Sequence, residues 1–153
     1  RSTLFPYTTL FRSSIKEYLW QIKDMKRRVA EKQSEIDSMR NMLTSISVRT
    51  DDERVQSSSD PDKIGSMISD ILDRESELKI LVSGFLRKEK EIAKQIDSME
   101  NYRHREILHW RYVEGLTLEN IAVNFMHITF RHATRLHGQA LIEFEKKFGK
   151  NYK

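Results

Sequence analysis

Cysteine is missing from the chain, so disulfides and thiolate metal sites are excluded and a reducing compartment is compatible. Proline occurs only at Pro6 and Pro61, and glycine only five times in 153 residues. That scarcity favours long helices over sheets and turns. No apolar run approaches the ~20 residues that span a bilayer, so a soluble protein with no membrane partner is expected. Also missing are a Gly-rich phosphate loop, a nucleophile motif and a pair of acids placed for proton transfer. No enzymatic activity and no cofactor are therefore expected.

What is present is charge. A third of the residues are Asp, Glu, Lys or Arg, with a net charge of +4. The first hundred residues balance, with 18 basic and 18 acidic side chains. Residues 101–153 carry 9 Lys and Arg against 5 acids, and all five histidines. The basic surplus sits in the last third and points weakly to a polyanionic partner.

From Ile15 the pattern is helical. Ile15, Ile22, Val29, Ile36 and Leu43 take heptad position a; Tyr18, Met25, Lys32, Met39 and Ile46 take d. Only Lys32 is polar, and it is expected to snorkel to water. Residues 47–62 lack periodicity and are rich in Ser and Asp, which predicts a loop. Asp60 and Pro61 read as a cap and first residue of a second helix. Its seam runs through Ile64, Ile71, Leu78, Phe85, Ile92 and Met99, with Ile68, Val82 and Ile96 widening the apolar stripe. Residues 14–100 therefore predict an antiparallel coiled-coil hairpin, marginal alone, which favours self-association as a dimer. The fold class expected is all-α.

After Glu100 the texture changes. A short helix through Ile107, Leu108, Tyr112 and Val113 should end at Gly115 in the left-handed conformation. Thr117 is placed to cap a second helix, with Leu118, Ile121, Ala122 and Phe125 inward. Thr129 is placed to cap a third, whose buried side is Ala133, Leu136, Ala140, Leu141 and Phe144. Residues 101–149 thus predict a helix-turn-helix, followed by a basic tail at 150–153. From Thr129 to Ile142 there is no acid, but there are Arg131, His132, Thr134, Arg135, His137 and Gln139. A helix entering the major groove needs this composition, because phosphate repels acids and Arg bridges guanine O6 and N7. Phe130, Arg131, Thr134, Arg135 and Gly138 are expected to face outward. Arg131 and Arg135 are candidates for bases or phosphates, Phe130 and Thr134 for base edges or a thymine methyl. Gly138 would permit close approach, and His132 and His137 complete the set. Arg103, Arg105 and Arg111 are candidate phosphate holders on the first helix, and Thr117 a phosphate site at the second.

The run REILHWRYVEGLTLENIA, followed by Arg135-Leu136-His137-Gly138 and Ala140-Leu141, resembles region four of bacterial sigma factors. It resembles still more closely a family of small phage and prophage regulators of the autolysin- and late-gene-regulator type. The resemblance covers about residues 103–145. It implies sequence-specific binding of double-stranded DNA, transcriptional control, contact with RNA polymerase and residence at the nucleoid in a bacterial cytoplasm. One departure stands out: Ala122 to Ala133 is eleven residues where the usual spacing is ten, and the usual turn glycine is absent. Either the turn is one residue longer or His132 turns inward.

Other readings compete. Two arginines on a helix are commonly a solvated face, and Trp110 and Tyr112 fit packing better than base stacking. Histidines that step by five do not stack as metal ligands, so no metal site is expected. A DNA-packaging protein of the small-terminase kind, or a structural oligomer, would also join a helix-turn-helix to a helical hairpin.

The opening RSTLFPYTTLFRS matches nothing else in the chain. A signal peptide would need an uninterrupted apolar core, which Thr3, Pro6, Tyr7, Thr8 and Thr9 break. The stretch TLFPYTTLFRS resembles the in-frame translation of a common short-read sequencing adapter, as in metagenomic reads. Residues 1–13 are thus expected to be foreign, disordered and unrelated to function.

Overall fold

The computed structural model describes residues 7–52 and 61–150, with side chains placed for 14–46 and 61–150. Among the described residues the chain is all-α, with no strand. Helix α1 spans Tyr7–Asp52 and α2 Pro61–Asp97. Helix α3, Tyr102–Leu108, continues into a π-helical turn at His109–Val113. Helix α4, Leu118–Asn120, continues into a second π-helical turn at Ile121–Met126, and α5 is Phe130–Phe148. No helix among the described residues is long and apolar enough to cross a membrane.

Two expectations change at the ends of α1. Tyr7 to Ser13 and residues 47–52 have helical backbone where disorder and a loop were expected. Neither segment holds Gly or Pro, and extending an existing helix costs far less than starting one. Residues 1–6, 53–60 of the expected loop and 151–153 of the expected basic tail lie outside the described residues. Pro61 is the first residue of α2 as expected.

The chain forms two compact units, Met25–Phe85 on the one hand and the remainder on the other. In Met25–Phe85, Ile36 and Ile71 are buried, and Val29, Met39, Leu43, Leu78 and Phe85 half-buried. Lys32 pairs with Glu77 at 2.6 Å, Glu35 with Arg74 and Arg40 with Glu75. Stepping from Lys32 to Glu35 moves the partner back from Glu77 to Arg74, so α1 and α2 run in opposite directions here. Lys32 is thus a half-buried partner and not a free cation. Its hydrogen bond and charge hold the Glu77 carboxyl below the usual range. Such exposed pairs orient helices more than they stabilise them.

The other unit holds the larger core. Ile15, Leu19 and Ile22 of α1, Ile92 and Ile96 of α2, and Ile107, Leu108 and Phe144 are each almost fully buried. The Tyr18 hydroxyl donates within this unit towards Gln95 at 2.9 Å and Glu91 at 3.1 Å. Burial, with the Glu91 charge adding to it, pushes its pKa up to about 12.

Candidate nucleic-acid interface

The segment from Asn101 onward is built by local caps. The Asn101 side chain accepts from the N–H groups of Arg103 and His104 and starts α3. Gly115, at φ 77°, stops the first π-helical turn, and the Leu116 N–H returns to Trp110 O at 3.0 Å. A residue with Cβ would be strained in that left-handed conformation. The hydroxyl oxygens of Thr117 and Thr129 accept from Asn120 N and His132 N, both at 3.2 Å. These three positions were expected from sequence, because each effect depends on one residue and its neighbours.

The eleven-residue step is resolved at Ile121–Met126. The N–H groups of both His127 and Ile128 return to Ala122 O, the latter at 2.9 Å. A π-helical turn holds one residue more than an α-turn, and this one accommodates the eleven-residue step from Ala122 to Ala133. His127 takes the left-handed conformation, φ 51°; His tolerates that region better than most residues. His132 stays exposed, so the longer turn is the alternative adopted. The wide turn also moves Phe125 off the inward side. It is 43% exposed and packs on Trp110, with ring centroids 4.4 Å apart.

Helix α5 contacts α3, α4 and the second π-helical turn. Its buried side is Ala133, Leu136, Ala140, Leu141 and Phe144 as expected, together with His137. His137 is therefore buried in the fold and not among the candidates exposed on the outer face. Position 137 is four residues from both Ala133 and Leu141, so it shares their face. Its Nε2 is hydrogen-bonded with the Tyr112 hydroxyl at 3.0 Å, and the two rings stack. Burial, reinforced by the positive charges of Lys16 and Arg111, lowers its pKa to about 4. Burial raises that of Tyr112 to about 12, so the phenol keeps its proton.

Opposite this side, Phe130, Arg131, His132, Thr134 and Arg135 are all exposed, and Gly138 is half-exposed. Neither arginine has an ion pair or hydrogen bond among the described residues. The Thr134 hydroxyl donates to Phe130 O at 3.0 Å, which leaves it an acceptor and a methyl group for any ligand. A Cβ built on Gly138 would meet nothing within 4 Å. Packing therefore does not require glycine there.

The first-helix arginines divide. Arg103 is exposed and, among the described residues, reaches the Tyr102 hydroxyl, at 3.3 Å. Arg105 donates to Met99 O at 2.8 Å, and Arg111 donates to Leu116 O at 2.7 Å and lies over the Trp20 ring. Those two guanidinium groups brace the fold. Thr117 spends its acceptor on the cap of α4 but is itself exposed.

Sequence reasoning missed Glu143. Its carboxylate accepts from the backbone N–H groups of Glu100 and Asn101 and meets His104 Nδ1. Burial alone would raise its pKa, but these hydrogen bonds outweigh it and leave the carboxyl below its usual range. It joins α5 to the start of α3 across some forty residues, and no local pattern announces that. No cluster of His, Asp or Glu able to hold a metal exists among the described residues.

Comparison of the chain with protein-family models, with curated proteins and with solved structures finds no match.

Proposed function

We propose that residues 101–149 form a helix-turn-helix that reads duplex DNA, in a phage-type transcriptional regulator of sigma region-four-like design. In this reading the protein works by binding alone, without catalysis or cofactor. The α1–α2 pair joins copies of the chain or meets RNA polymerase in the bacterial cytoplasm. One observation carries the proposal: the exposed side of α5 has no acid between Thr129 and Ile142 and presents Arg131 and Arg135 unpaired. Two unpaired guanidinium groups one turn apart suit a groove lined by phosphate and guanine acceptors. Arg103 extends the positive surface, while Arg105 and Arg111 do not.

Selection of bound sequences from random duplex DNA at near-physiological salt tests this. Enrichment of one short motif is expected, with log affinity falling by ~0.9 per phosphate contact as log salt rises. Absence of any enriched motif would remove the sequence-specific reading, and a large ring of subunits on the DNA would favour packaging.

Gly138 offers an independent check. Gly138→Ala should raise the fold's stability by ~0.5–1 kcal/mol, since glycine inside a helix is unfavourable and the space is open. The same change should weaken binding to the selected site if that face approaches DNA closely. Thermal melting and a DNA titration on one preparation measure both, and unchanged affinity would take Gly138 out of the interface.

A further inference from the structure

Within the unit Met25–Phe85, α2 turns Ile71, Leu78 and Phe85 towards its core. A different stripe is left over. Ile68 is 44% and Leu72 57% exposed, and Val82 is half-exposed. Positions 68, 72, 75, 79 and 82 step by four, three, four and three, the spacing of a helix-pairing seam. The stripe is apolar except for Glu75 and Lys79 in the middle. Arg40 meets Glu75 from α1, and Lys79 has no ion pair among the described residues.

We propose that this stripe of α2 is the docking surface for a second copy of the chain, running antiparallel. Reversal about position 77 maps 72, 75, 79 and 82 onto themselves. Leu72 then faces the partner's Val82, and Glu75 faces the partner's Lys79, each pair occurring twice about the two-fold axis. Ile68 covers the partner's helix one turn beyond. Parallel pairing would set Glu75 against the partner's Glu75 and Lys79 against the partner's Lys79, which like-charge repulsion disfavours. The charge pattern thus selects both the occupant and its direction. A foreign helix would match the apolar positions, but only a reversed copy is certain to supply the opposite charge at each central position. This inference rests on the subunit pairing proposed above and not on DNA binding.

Sedimentation equilibrium of the full chain without DNA tests it. A dimer is expected, and Leu72→Lys should give monomer with unchanged helicity by circular dichroism. Glu75→Lys and Lys79→Glu should each weaken the dimer about tenfold or more, and the two together should restore it. Lys79→Glu leaves the Arg40–Glu75 pair intact, so its effect reports on the interface alone. Because the chain has no cysteine, direction can be read by cross-linking. A mixture of Leu72→Cys and Val82→Cys chains should form a mixed disulfide, and Leu72→Cys alone should not. A monomer at every concentration, a dimer indifferent to Leu72→Lys, or self-linking of Leu72→Cys would overturn the proposal. None of these outcomes touches the DNA-binding reading, which is measured separately.

Discussion

Replacing Arg131 and Arg135 together by alanine should weaken binding to the selected DNA site by ~2–6 kcal/mol, at ~1–3 for each arginine that bridges a guanine. Fold stability should barely change, because both side chains are exposed and unpaired among the described residues. Titration of wild type and variant on the same duplex, beside a denaturant melt of each, separates the two effects. The single variants distinguish roles. An arginine that reads a base should relax preference at one position of the site. An arginine that holds phosphate should lower affinity evenly across sequences and reduce the salt slope by ~1. If the double variant binds as tightly as wild type, this face of α5 is not the reading surface.

Acid should unfold the protein through His137. In the unfolded chain its imidazole takes up a proton below its usual value of 6.5, but in the fold only near 4. Unfolding therefore binds a proton inside that window. Stability should be level on this account above about pH 6.5 and fall as the pH drops. The loss should reach on the order of 3 kcal/mol by about pH 4, at ~1.4 kcal/mol per unit. His137→Gln keeps a side chain that can hydrogen-bond the Tyr112 hydroxyl but does not titrate. Urea unfolding of both proteins across this range should show a steeper acid decline for wild type. Equal slopes would mean that His137 is protonated in the fold. Glu143 also favours the fold only while ionised, but it is common to both proteins and drops out of the difference.

The parts of the C-terminal segment that were legible share one property: their cause is local. Gly115, Thr117 and Thr129 act through their own backbone or the next turn, so the sequence alone placed them. The apolar side of α5 followed from helical spacing. His137 was misassigned because its residue type suggested a polar role, although its spacing from Ala133 and Leu141 already placed it inside. Arg105 and Arg111 have fold contacts that the sequence did not show. Their partners are the carbonyl oxygens of Met99 and Leu116, and a carbonyl leaves no mark on a sequence. The loop was set too long because polar composition predicts solvent exposure better than it predicts the end of a helix. Glu143 lay beyond sequence reasoning, since its partners arrive only through the packing of α5 on α3.

The left-handed His127 and the wide turn before it bear on what the chain tolerates by deletion. Removing one residue between Phe125 and Ile128 would leave a segment of the length an ordinary α-turn accommodates. Helix α5 would keep its cap at Thr129 and its apolar side, while Phe125 could swing back towards the core. Most single-residue deletions inside packed helices shift every later side chain to a new face. Here the deletion should instead be absorbed by tightening the π-helical turn to an α-turn, which thermal melting of the His127 deletion would check.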